Sequence, residues 1–288
     1  MDDKLNAKKF IVICADDYAF NDSVSEGILL LARAKRLSAT SVMALSPNWP
    51  KHSLRLLQFK GELNVGLHLD WTSQFAVSAG ISQGLSSVMV RSVQRKFDAG
   101  LVRRAIELQI DTFELHWGDP PDHIDGHQHI HQFDGIREVL CDVLVQRYGA
   151  KADKPWLRIS QANKKAGIKG VVISWMGAKS LNSWAELYCW PKFCQLMGVY
   201  GYNGEIGDYE SRMRDWLKYS CIAKYPCLIM CHPGLYAEKN DPICNSRPIE
   251  FTYFSSDSFL ENLSEVNLNL AFGEEVKKLA QLGFQIRP

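Results

Sequence analysis

No apolar run in this sequence approaches the roughly 20 residues needed to cross a bilayer, and no block of lysine or arginine disturbs the balance of 33 basic against 32 acidic residues. A formal net charge of +1 leaves no electrostatic footprint for nucleic acid or an anionic membrane. The expected partner is therefore a small or neutral molecule. The start, Met-Asp-Asp-Lys-Leu-Asn-Ala-Lys-Lys, lacks the apolar region and cleavage site of a secretory signal. The eight cysteines include no Cys-x-x-Cys pair. Cys14, Cys227 and Cys231 sit in apolar runs, where a free thiol behaves as a small hydrophobe. A reducing cytoplasm is the expectation, not a disulfide framework. Repeats, low-complexity segments and linkers rich enough to divide the chain are lacking too, so residues 1–288 are expected to form one domain.

What is present is concentrated. The stretch Asp122 to Gln132, Asp-His-Ile-Asp-Gly-His-Gln-His-Ile-His-Gln, holds half of the chain's eight histidines. If it is extended, side chains alternate between faces, so Asp125, His127, His129 and His131 line one wall. Such a wall calls for a metal ion, a substrate or a chain of hydrogen bonds. A solvated, His-rich strand end is the plainer alternative.

Phe10 to Cys14 reads as a buried parallel strand that ends in Ala15-Asp16-Asp17-Tyr18. Asn21 or Asp22 then caps a helix running to about Lys35. Strands are expected at Ser38 to Leu45, Leu63 to Leu69, Trp156 to Ser160, Val171 to Trp175 and Cys227 to Cys231. Helices are expected at His52 to Phe59, Leu101 to Trp117, Gly135 to Tyr148, Asp208 to Tyr219 and Phe272 to Leu282. Thr72 to Gly100 reads as a long excursion over one face. Alternation sustained over this length predicts an α/β chain closed into a barrel. Asp16 and Asp17, His68, the His127 cluster and His232 all fall at the ends of expected strands, the rim where barrel active sites are built. Singly, each has a plainer reading: a helix cap, a core histidine, a turn residue before proline. Their coincidence at one rim favours a shared metal site.

Four motifs in order, Ala15-Asp16-Asp17-Tyr18, Gly66-Leu67-His68-Leu69, Asp125-Gly126-His127-Gln128-His129-Ile130-His131 and Cys231-His232-Pro233-Gly234, resemble the YdjC-like carbohydrate deacetylase family. The resemblance covers residues 10 to 235 and fades in the tail. It implies a distorted (β/α) barrel that removes an acetyl group from an N-acetylated sugar with one divalent metal ion. By motif match it implies Asp17, His68 and His127 as metal ligands and Asp16 as the catalytic base. Two departures stand out: Tyr18-Ala19 where the family usually has Phe-Gly, and Asp134 where it has proline.

The chemistry of the residues agrees with that carry-over. Two imidazoles and one carboxylate leave positions open for water and an amide carbonyl. These donors lean toward Zn2+, while the resemblance leaves Mg2+ open. Because the amine must leave protonated, His232 is the candidate acid, with an orienting role as its alternative. Arg158 is a candidate clamp for the base or for a substrate oxygen, and His129 and His131 are candidates for ordering the ligands or binding sugar hydroxyls. Trp71, three residues beyond His68, is the tryptophan expected near the sugar. A homodimer is the assembly kept open. Two other readings are a phosphoester hydrolase, which should bring more carboxylates and a phosphate cradle, and a sugar binder without catalysis, which needs no acid, base and metal together.

Overall fold

The computed structural model describes residues 9–81, 84–161 and 174–285. Its first strand, β1 (Lys9–Tyr18), is buried along nearly its whole length. Ile11, Ile13 and Ala15 pack in the layer shared with the helices, whereas Val12 and Cys14 turn into a second core with Trp156, Phe193, Leu196, Leu228 and Met230. Alternation along a strand puts successive side chains on opposite faces, so this second core is the interior of a barrel. Continued along β1, the inner face next presents Asp16.

The remaining strands are β2 (Ala39–Val42), β3 (Asn64–Leu69), β4 (His123–Gly126), β5 (Trp156–Arg158), β6 (Lys192–Phe193), β7 (Gln195–Met197), β8 (Cys227–Cys231) and β9 (Leu268–Leu270). Parallel ladders join them in the order β6-β5-β4-β3-β2-β1-β8-β7. The two ends of that order are neighbours in the chain: β6 pairs with β5, β7 pairs with β8, and only Cys194 lies between them. One bent segment therefore closes the ring covalently. β9 runs beside Lys9–Ile11, on the edge of β1 that β2 takes up from Cys14 onward. The chain is a distorted β/α barrel, as the alternation of elements and the family resemblance both imply.

Several local expectations need correction. β1 is not simply extended to its end: Ala15 pairs with Thr40 but Tyr18 with Val42, so one residue is extra, and Asp17 adopts a left-handed conformation (φ 68°). That is a β-bulge at the rim, where bulges re-aim side chains. The His-rich stretch does not continue as a strand either. β4 stops at Gly126, and His127–Gln132 turns back with Gln128 (φ 54°) and His129 (φ 62°) left-handed. The expected single wall of Asp125, His127, His129 and His131 does not form, because alternation fails once the backbone leaves the extended region. The excursion after Thr72 carries two helices, Gln74–Ser78 and Gly84–Gln94. Of the strand expected at Val171–Trp175, residues 171–173 lie outside the described residues, and Ser174–Ala178 forms a single helical turn.

Candidate active site

The bulge in β1 brings Asp16 and Asp17 together at the wall of one cavity of about 260 Å³ at the carboxyl rim. Register does the next step. His68 on β3 pairs with Asp125 on β4, and the two side chains meet, Nδ1 to Oδ1, at 2.5 Å. A carboxylate accepting from Nδ1 fixes the ring and turns the Nε2 lone pair toward the cavity. There Nε2 lies 3.5 Å from Asp17 Oδ1, and His127 Nδ1 lies 3.2 Å from the same oxygen.

Glycine makes room for this arrangement. A Cβ on Gly66 would sit 2.3 Å from the His123 ring, which lies over the strand and stacks on Trp156 at 4.1 Å. His123, Trp156 and Gly66 form the floor beneath His68.

Asp17, His68 and His127 offer donor atoms within 4.8 Å of one another. Asp17 Oδ1 is buried and has no hydrogen-bond partner of good geometry, although two imidazole nitrogens face it. A buried carboxylate oxygen left this way is costly, and a divalent cation between the three donors satisfies it. The donor set fits such an ion.

The electrostatics point the same way. Burial opposes ionisation of Asp17, but the Arg247 guanidinium, 2.8 Å from Oδ2, together with His127 holds its carboxyl well below the usual range. Burial opposes a charged His68 too, yet Asp125, Asp16 and Asp17 outweigh it and raise the ring to about 9. Without a metal ion, a proton on His68 supplies positive charge that the three carboxylates demand.

Asp16 is held differently. Both its oxygens accept from Arg158, at 2.7 and 2.8 Å, and Ser41 donates to Oδ1 at 3.1 Å. Arg158, fully buried, also meets Asp125 Oδ2 at 2.9 Å. One guanidinium thus ties the expected base to the carboxylate that orients His68. His232 Nε2 stands 3.7 Å from Asp16 Oδ2, and its ring meets Tyr202 edge-on at 5.2 Å.

Other candidates fall elsewhere. His129 borders the cavity, and its Nδ1 shares a 2.8 Å hydrogen bond with Ser160 Oγ. His131 is fully buried behind the site and donates from Nε2 to the Arg158 carbonyl at 2.7 Å. Burial holds both rings below the usual imidazole range, His131 at about 4. Trp71 lines a separate cleft with Ile81 and Phe97, so Thr72, Ser73 and Gln74 face the site in its place.

Sequence reasoning missed Arg247, Asp241 and Tyr202. Arg247 lies beyond the last of the four motifs, pairs with Asp241 as well as Asp17, and packs over Phe20. An arginine inside Asn-Ser-Arg-Pro carries no local pattern to announce a partner on the first strand. Tyr202 stands at φ 55°, and with Asp17, Gln128 and His129 it makes four left-handed non-glycine residues around one cavity. Strain of this kind, of order 1–3 kcal/mol per residue, gathers at functional sites. A larger cavity of 380 Å³ at the opposite rim is lined by Lys60, Asp119, Asp122 and Lys277, which pair with one another or with neighbouring acids.

The chain is similar to several known proteins. Over 146 residues the chain is 28% identical to a carbohydrate deacetylase of Xenopus laevis, an alignment covering 46% of this chain and 47% of that protein. It is 25% identical over 142 residues to a chitooligosaccharide deacetylase of Proteus mirabilis, covering 48% and 56%. To a carbohydrate deacetylase of Homo sapiens it is 30% identical over 156 residues, covering 49% and 46%. The chain spans about half the length of the curated relatives it matches. In fold it is similar to an Enterococcus faecalis V583 crystal structure provisionally named for cellobiose-phosphate cleavage, with a TM-score of 0.72 at 20% identity over 94% of this chain and 100% of that one. The sequence model described as YdjC-like protein matches residues 10–265, and the chain belongs to the YdjC-like family.

Proposed function

We propose that this chain hydrolyses the acetamido group of an N-acetylated sugar, releasing acetate and a free amine. The observation that carries the reading is the pairing of a metal-type donor set, Asp17, His68 and His127, with an Asp16–His232 pair 3.7 Å apart on the same cavity wall. The names of the curated relatives support the substrate class.

A divalent ion held by Asp17 Oδ1, His68 Nε2 and His127 Nδ1 would polarise the amide carbonyl and acidify water. The donors lean to zinc over magnesium. Asp16 accepts the proton of the attacking water while Arg158 fixes its carboxylate plane. His232 gives a proton to the nitrogen as the C–N bond breaks, so an amine leaves instead of an amide anion. Across 3.7 Å, the proton taken by Asp16 returns to His232 and resets the pair. Arg247 keeps Asp17 Oδ2 occupied and leaves Oδ1 for the ion. Tyr202 and Phe20 offer aromatic walls, and 260 Å³ suits about one sugar ring with its acetamido group. Arg247 on the cavity wall and Arg158 buried behind Asp16 are both committed to carboxylates, which argues against a phosphoester at this position.

Acetate release from N-acetylglucosamine and its short oligomers, with and without a chelator, tests the reading. Release abolished by chelation and restored by zinc or magnesium supports it. No release from any N-acetylated sugar by the metal-loaded chain would sink it.

A further inference from the structure

The helix Ser246–Ser255 carries two buried charged residues one turn apart, Arg247 and Glu250. Arg247 is accounted for by Asp17 and Asp241. Glu250 is not: its side chain is completely buried, and among the described residues no cation pairs with it. Its oxygens are spent on neutral donors instead. Oε1 accepts from the Tyr200 hydroxyl at 2.6 Å, and Oε2 accepts from the His232 backbone N–H at 2.5 Å. A buried carboxylate without a counter-charge is costly. Burial pushes the Glu250 carboxyl above its usual range, and the His232 ring is the first group to oppose that.

The same helix fastens the turn that follows β8. Besides the Glu250 contact, Arg247 Nη1 donates to the His232 carbonyl at 3.4 Å, and the Gly234 N–H donates to the Arg247 carbonyl at 3.1 Å. The His232 ring is loosely tied by comparison. Its Nδ1 is buried with no hydrogen-bond partner among the described residues, Nε2 stands 3.7 Å from Asp16, and Tyr202 meets the ring edge-on. A ring so placed depends on whatever holds its own backbone. We propose that Glu250 is the positioning residue of the proton donor: it fixes the end of β8 so that His232 Nε2 faces Asp16, and its charge favours the protonated ring. The inference rests on the reading of His232 as the group that protonates the leaving nitrogen. Reciprocity supplies the link: if a protonated ring stabilises the buried carboxylate, the carboxylate stabilises the protonated ring equally. Asp16 and Asp17 on β1 add negative charge before the same ring, while Arg247 on the helix and Arg158 behind Asp16 oppose it. His129 and Tyr202 face it uncharged, since burial holds the first below and the second above its usual range.

Glu250→Gln removes the charge and keeps the shape, because the amide carbonyl can accept from the His232 N–H while the amide N–H donates to Tyr200. Glu250→Asp keeps the charge and gives up some reach. In the zinc-loaded full chain, imidazole NMR should find the His232 titration lowered by about one pH unit in Glu250→Gln and by less than about 0.3 unit in Glu250→Asp. Acetate release should follow. The alkaline limb of kcat moves to lower pH in Glu250→Gln, with about a tenfold loss above the limb and none below it, at unchanged KM and bound zinc. A His232 titration unmoved by Glu250→Gln overturns the proposal. So does an equal fall in both variants, which would leave only the fit of the side chain, or an alkaline limb that stays while the titration moves. If the titration moves as expected but no form of the chain releases acetate from any N-acetylated sugar, the hold on His232 stands and the sugar reading fails.

Discussion

Adjacent carboxylates with different partners are the residue-scale feature on which the proposed chemistry turns. Asp16 is tied to Arg158, and Asp17 to Arg247 with Oδ1 left facing two imidazoles. Asp16→Asn is expected to keep the metal and lose turnover by about 10²- to 10⁴-fold, the usual worth of a general base. Arg158 retains Asp125 as a counter-charge in that variant, so the fold should survive. Asp17→Asn should instead release the metal. Metal content and acetate release measured on both variants decide the assignment; near-normal turnover in Asp16→Asn would reverse it. Gly66→Ala tests the floor of the site. With its new Cβ 2.3 Å from the His123 ring, it should lose about 3 kcal/mol or more in denaturant unfolding. An unchanged midpoint would mean that His123 moves freely. Asp16, Asp17, His68, His127 and His232 could be read from the sequence because each ends a strand within a short motif. Arg247 could not, since its meaning comes only from a carboxylate 230 positions away.

At the scale of elements, strands and long helices were legible where burial enforces a period, and their ends were not. β8 was read to the residue, Cys227–Cys231, because both its faces are buried. The bulge at Asp17 and the left-handed turn at Gln128–His129 escaped, since neither position holds the glycine that usually marks a positive φ. Ala19 is another such position, at φ 71°. Caps, by contrast, carry their own chemistry. Asn21 Oδ1 accepts from the Val24 N–H at 2.8 Å at the start of the helix Asp22–Arg33, which follows the acidic pair. Asn21→Ala should cost about 1 kcal/mol, seen as a lower unfolding midpoint. Asn21→Asp should cost little, and equal losses in both variants would place the effect outside capping.

For the whole molecule, buried histidines set how stability answers to pH. Burial holds His123 and His131 at about 4, below the ordinary 6.5, so between those values the unfolded chain binds more protons. Stability should therefore fall as pH drops from 6.5 toward 4, by about 3 kcal/mol per ring at the limit. His68 acts on the other side: raised to about 9, it binds a proton in the native state that the unfolded chain has released, and its contribution fades as pH rises from 6.5 through 9. Metal-free protein should be most stable near pH 6.5, and saturating zinc should flatten the alkaline arm because it displaces that proton. Thermal melts across pH, with and without zinc, check both arms; an alkaline arm unmoved by zinc would remove His68 from the ion.

The same long-range pairing has a consequence in time. Asp17 belongs to β1, but its guanidinium partner is 230 positions away, and the ring closes only when β7 and β8 meet β1. Contacts between distant parts of a chain form late and slowly. A chain still being synthesised thus carries Asp16, Asp17, His68 and His127 without the frame that makes them selective. On the proposed reading, loading with an ion then waits until β8 and the helix that carries Arg247 have folded back onto β1.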